Sequence, residues 1–356
     1  LTSQIEVQSQ SAHAPNPSRL AGVDVFRGFA ITTIVFGHSM KLISGRLPEN
    51  AISLYVISAI AENGTSFFVF ISGFLFVPTS RTSLVKYLQR KFAHVLLPFA
   101  VVSIIALFFQ PNQFMFVDVV NPIKWTEVNP PTWYILMITY YYLAMPVFTV
   151  IGKYLTLKSP WCCYILGLFL LLSLATPRPI DDIQSSATHF LFAYILGIFV
   201  YNEQIFISKL VFRHKKYLIL LVLFIFISTI PINLLSGRVT GFRNFQISSV
   251  TKAISSVLFL IYIPLTLEAL RNYQLTWIAK SIQNIFTTLA RYSFGIFFIH
   301  YFVIAKISEL LPVQDLLSWF LIGSFLSLFV SLWIVAATKS LLNLFGVKET
   351  HYFIGC

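Results

Sequence analysis

Apolar runs of about twenty residues recur from one end of this chain to the other, each long enough to cross the hydrocarbon core of a bilayer. In lipid every backbone N–H and C=O needs an internal partner, and a helix supplies one residue by residue. Composition agrees: 57% of the residues are hydrophobic and 11% are charged, where soluble domains carry about twice that charge. The expected fold is an all-α polytopic membrane protein with about ten transmembrane helices. They fall near residues 22–43, 55–78, 91–110, 132–151, 161–176, 188–201, 217–236, 248–268, 288–308 and 314–338. Residues 1–20 read as a disordered cytoplasmic tail, 21–340 as the membrane domain and 341–356 as a short cytoplasmic C-terminal tail. The tail ahead of the first span is polar and lacks the apolar core of a signal peptide.

The net charge of +12 tests that count. With the first residue inside, Lys and Arg favour the inner loops and ends over the outer loops by about two to one. That bias places both termini in the cytoplasm of a multi-pass protein of the plasma (inner) membrane. It also explains the basic balance through anionic lipid rather than nucleic acid. No internal repeat is visible, which weighs against transporter folds made of two related halves. Cys162, Cys163 and Cys356 have no metal-ligand spacing, so neither a metal nor a disulfide is expected.

The segment from Asp24 to His38 carries the polar residues that matter most. Arg27 and His38 stand eleven positions apart, three helical turns, on one face and about 16 Å from each other. Ionisable groups at membrane depth are costly and usually face a bundle interior or a wet cavity. Two readings stand: a functional pair, or an arginine reaching a headgroup and a histidine satisfied in the core. A second such pair, Arg291 and His300, lies in the ninth expected span, and two pairs favour a shared polar cavity. Glu62 falls at the outer end of the second span, on the side of His38. There it either orients an imidazole, as carboxylates do in hydrolytic triads, or is simply solvated. Ser72 and Gly73 lie within the same span and read as packing residues.

The third span opens on Lys86, Arg90 and Lys91, with His94 one turn deeper. This cluster is either a positive-inside anchor or a docking patch for a phosphorylated cytosolic ligand. Trp133 and Tyr134 follow Pro130 and Pro131 at the mouth of the fourth span, as expected at an interface. Tyr140, Tyr141 and Tyr142 sit mid-span, where their hydroxyls need partners.

Together these stretches resemble the acyltransferase type 3 family of integral-membrane acyltransferases, over about residues 20–340. Asp24, Arg27, Gly28 and His38 are similar to the motif of that family's first helix. Phe67-Phe68 through Ser72-Gly73-Phe74-Leu75, the basic Arg90-Lys91 before Pro98, Trp133-Tyr134 through Pro146, and Tyr292-Ser293-Phe294-Gly295 to His300 resemble its later motifs, in order.

The resemblance implies an acyl-CoA donor, acetyl-CoA in the first instance, on the cytosolic side. It implies a hydroxyl of a cell-surface polysaccharide or lipid-linked glycan as acceptor. The residues suit that chemistry. An imidazole titrates near neutrality, so His38 can activate an alcohol or carry the acyl group itself. Arg27, Arg90 and Lys91 would hold donor phosphates or polarise the thioester. His300 would position the acceptor or share the proton, and Asp24 would cap the first helix or orient Arg27. A second reading from another class is a proton-coupled carrier or flippase for a glycan or lipid-linked sugar, working through His38, Glu62 and His300.

Overall fold

A computed structural model describes residues 17–44, 64–79, 83–108, 133–176, 183–207, 247–310 and 316–347, with short pieces at 131, 209–210, 213–214, 217 and 350. Every regular element among them is helical. In chain order they are α1 (Pro17–Ser44), α2 (Gly64–Thr79), α3 (Leu84–Lys91), a π-helical turn (Phe92–Leu96), α4 (Leu97–Phe108), α5 (Trp133–Leu143), α6 (Met145–Tyr154), α7 (Cys162–Ala175), α8 (Ile183–Asn202), α9 (Ile247–Asn272), α10 (Thr276–Arg291), α11 (Ser293–Leu310) and α12 (Leu316–Leu344).

By length and apolar composition, three stretches among the described residues can cross a membrane: Leu84–Ile105, Ser293–Leu310 and Leu317–Leu344. A fourth is the pair α5 and α6, if that bent pair is one span. Shorter apolar helices run Gly64–Val77, Cys162–Ala175 and Ser186–Asn202. The protein is thus a helical membrane protein, and among the described residues three or four of the ten expected spans meet this criterion. The seventh expected span, 217–236, lies outside the described residues apart from Tyr217.

α1 is the hub. It packs against α2, α9, α10, α11 and α12, and Phe26, Ala30, Ile31 and Val35 are wholly buried. A helix buried on so many sides must be apolar around most of its circumference, as this one is between its two polar ends. Without a hydrophobic driving force between helices in lipid, close backbone approach matters, and small residues permit it. A Cβ on Gly28 would stand 1.9 Å from the Phe286 carbonyl oxygen of α10. α2 and α8 are joined in the same way from both sides. A Cβ on Gly73 would stand 2.0 Å from the Tyr194 oxygen, and one on Gly197 would stand 2.2 Å from the Phe70 oxygen.

Three local departures from the expected spans have identifiable causes. The fourth span bends by 67° between α5 and α6, at Ala144, two residues before Pro146. The proline ring clashes with the carbonyl four residues back and removes a donor, which is the usual origin of a sharp kink. The third span starts earlier than hydropathy suggests, because α3 carries Lys86 and Arg90 on an exposed face. The ninth span is two elements. Residues 276–291 form the amphipathic helix α10, and α11 begins only at Ser293.

Candidate active site

α1 and α11 run side by side in the same sense, because contacts between them advance together. Arg27 meets Ser293 at one end, and His38 meets His300 and Tyr301 further along. The arginine is held by the turn between α10 and α11. Its Nε donates to Ser293 Oγ at 3.2 Å, and its Nη2 donates to the Ala290 carbonyl at 2.8 Å and to Ser293 Oγ at 3.2 Å. Both acceptors are neutral, and none of the three bonds uses Nη1. Ala290 lies in the last turn of α10 and Ser293 starts α11, so the guanidinium fork ties three helices at one point.

Lys91 comes to the same neighbourhood. Its ammonium lies 4.8 Å from the ring centre of Tyr142 and 5.5 Å from that of Tyr87, and within electrostatic reach of Arg27. Such cation–π contacts hold a charge without neutralising it. The π-helical turn begins just after Lys91, and Pro98, which has no N–H to give, follows it. Arg90 and His94 remain exposed on this segment. The basic run therefore divides, with Lys91 turned inward and Arg90 outward.

At the other end of α1 the His38 and His300 rings lie 5.2 Å apart between centres, tilted by 51°. His38 is partly accessible, whereas His300 is wholly buried. Tyr301 meets His38 edge-on at 6.0 Å. Tyr134 connects this centre to α2 and α5. Its hydroxyl lies 3.4 Å from Ser72 Oγ, and its ring meets Phe297 at 5.5 Å and Phe68 at 6.3 Å. Phe297 in turn packs against His300. Trp133 stacks on Phe190 of α8 at 5.9 Å, one residue from this path.

Three sequence readings change. Arg291 is not the partner of His300 along one helix. It is exposed in the last turn of α10, and the arginine beside the Tyr292-Ser293 turn is Arg27. Asp24 is not a cap: α1 begins at Pro17, so Asp24 stands inside the helix, exposed and one turn before Arg27. The three mid-span tyrosines separate, with Tyr140 exposed and Tyr141 and Tyr142 buried; Tyr141 donates to the Ala187 carbonyl. Glu62 lies outside the described residues.

Sequence reasoning missed the arginine's own partners, Ser293 and the Ala290 carbonyl. A carbonyl gives no signal in a sequence. The serine was legible only as part of a motif. Among the described residues no three His, Cys, Asp or Glu side chains gather in a way that could hold a metal.

A membrane-embedded helical bundle with an imidazole pair at one end of its central helix and a fixed arginine at the other suits group transfer to a hydroxyl. The family model described as "Acyltransferase domain", acyltransferase type 3, matches residues 20–336, nearly the whole chain. The chain belongs to that family, and it is a membrane acyltransferase. No curated protein and no solved structure matches it.

Proposed function

We propose that the protein moves a short acyl group, acetyl in the first instance, from a cytosolic acyl-CoA donor to a hydroxyl of a cell-surface glycan. The observation that carries this reading is the arrangement on α1. A partly accessible imidazole in contact with a second one, and a guanidinium fixed by α10 and α11, stand on one helix in the middle of the bundle.

His38 takes the proton of the acceptor hydroxyl as that oxygen attacks the thioester carbonyl, and returns it to the departing thiol. General base action of this kind contributes about 10²–10⁴-fold. Arg27 and Lys91 offer two cations to the donor's phosphates or to the oxygen that becomes negative in the tetrahedral intermediate. Such donors are worth more in a water-poor site than in water. Arg90, exposed at the start of the same segment, meets the donor first. Ser72, Gly73 and Trp133 hold α2, α5 and α8 around the site, and Asp24 biases the guanidinium from one turn away. In this reading both chain ends face the cytoplasm of the plasma (inner) membrane.

Purified protein in detergent, given radiolabelled acetyl-CoA and surface glycan, should transfer label with no gradient present. His38→Ala should lower that rate by at least about 10²-fold while leaving insertion intact. Absence of transfer in detergent by a folded protein favours the proton-coupled carrier, and near wild-type transfer by His38→Ala overturns the role of His38.

A further inference from the structure

We infer that α10 is an interfacial helix that seats the bundle on anionic phospholipid, with Lys280 and Arg291 as its headgroup contacts and Trp277 and Ile285 as its apolar ones.

The residues of this stretch divide by face. From Arg271 to Arg291 the chain has three basic residues and no acidic one. Lys280, Asn284 and Arg291 follow at steps of four and seven, which puts them on one face of the helix, and all three are exposed. Among the described residues no carboxylate pairs with Lys280 or Arg291. A second face turns to the bundle. Ala279 is buried with Val25 and Leu267, Phe286 meets Phe29 edge-on at 6.1 Å, and the Ala290 carbonyl is held by Arg27. Ile278 and Ile285, seven positions apart, make a third flank, on which Ile285 is 55% exposed. A packed face, an exposed apolar flank and a cationic face together suit one environment, the boundary where acyl chains meet headgroups.

Placement agrees. Arg27 bonds both the last turn of α10 and the first residue of α11. So α10 lies at the Arg27 end of the bundle, ahead of the membrane-length helix Ser293–Leu310. The turn that enters α10 carries Tyr273, and Trp277 follows in the first turn of the helix; they are 80% and 69% exposed. Aromatic rings with a polar tip collect at the membrane–water boundary. Arg271 ties the corner by donating from Nη2 to Gln283 Oε1 at 2.7 Å. At the far end of α10, the Lys339 ammonium of α12 stands 5.4 Å from the Tyr292 ring centre and adds a further cation to the same rim.

Charge selects the lipid. The cationic face is complementary to a headgroup of net negative charge, such as phosphatidylglycerol, and not to zwitterionic phosphatidylcholine. In the orientation proposed above this rim meets the cytosolic leaflet. Each Lys or Arg near an anionic surface is worth about fivefold in partition, so Lys280 and Arg291 together supply about 25-fold. The same helix carries the carbonyl that holds Arg27, so the lipid seat and the arginine share one element.

Lipid titration followed by native mass spectrometry of the full chain in detergent reads bound lipid and copy number together. Wild type should bind phosphatidylglycerol more tightly than phosphatidylcholine. Lys280→Gln and Arg291→Gln should each weaken phosphatidylglycerol by about fivefold, and the double variant by about 25-fold, with phosphatidylcholine unchanged. Ile285→Ser should weaken both lipids alike. Lys153→Gln, which removes an exposed cation elsewhere, should change neither.

Equal affinity of wild type for the two lipids overturns the inference, as does unchanged phosphatidylglycerol binding in the double variant. A loss in Lys153→Gln equal to that in Lys280→Gln overturns it too, because the attraction would then belong to the overall charge and not to α10. A dimer in the same spectra that Ile285→Lys splits assigns the flank to a second copy of the chain instead. No turnover is read, so failure of the proposed reaction leaves these outcomes intact. If Ile285→Ser does not fold, the charge variants, whose side chains are exposed, still decide.

Discussion

The two polar ends of α1 are built in opposite ways. At the Arg27 end three hydrogen bonds run to Ser293 and the Ala290 carbonyl, and a glycine one residue on lets α10 press against the helix backbone. At the His38 end the neighbouring imidazole keeps a buried nitrogen with no partner among the described residues. The arginine end is finished within the described residues, and the His38 end leaves that one His300 nitrogen unmet among them. A charge that must hold a ligand's phosphate or developing oxyanion gains from a fixed position, because no reorganisation is then needed during reaction. A proton-transfer group needs a nitrogen left over for the reacting hydroxyl. In the proposed reaction the contrast between the ends is one between electrostatic holding and proton movement.

The largest effect that tests this contrast is Arg27→Lys. A lysine keeps the charge but loses the planar fork that bonds two acceptors at once. Each hydrogen bond from a charged group is worth about 1.5–3 kcal/mol, so transfer should fall by roughly 10²-fold, mainly through donor KM. Isothermal titration with CoA checks it, and unchanged affinity would mean that the fixed end does not hold the donor. Next comes Gly28→Ala. Its Cβ would stand 1.9 Å from a backbone oxygen, so α10 must move away and take the Ala290 carbonyl with it. Overpacking of this kind costs about 1–3 kcal/mol. A lower midpoint of thermal unfolding in detergent, with a raised donor KM, is expected. Wild-type behaviour in both would show that α10 is not what fixes Arg27.

Much of this was legible in the sequence, and the exceptions are instructive. Arg27, His38 and His300 were singled out by the cost of putting such groups in lipid, and the structure brings the two histidines together. Apolar composition gave the helical membrane class, since period and burial act through the same residues. The amphipathic α10 was not legible as a separate element, because Leu289 and Ala290 lead without a break into the apolar run of α11. That merger led to the pairing of Arg291 with His300. Hydropathy averages over a window and cannot see the turn at Tyr292. The inward placement of Lys91 was hidden too, since it shows only in its packing against rings from two helices. Charge alone made Arg90 and Lys91 equivalent, and packing against Tyr87 and Tyr142 separates them.

The smallest expected effect is also the sharpest test of the finished end. Ser293→Ala removes the hydroxyl that accepts from Arg27 at both Nε and Nη2, but leaves the Ala290 carbonyl bond in place. Ser293 is wholly buried, so no water from the surface replaces the lost oxygen without a cavity to hold it. One retained anchor should keep the guanidinium near its site while letting it swing about that bond. The loss should be about 1–2 kcal/mol, which is roughly a five- to thirty-fold rise in donor KM, with kcat less affected. Ser293→Thr keeps the hydroxyl and should restore KM if the extra methyl is accommodated. The ¹⁵N signals of the labelled His38 ring should be the same in all three proteins, because the His38 end lies two to three turns away and shares no hydrogen bond with Ser293. A change in those signals on Ser293→Ala would mean that the two ends of α1 are one coupled device rather than two independent ones.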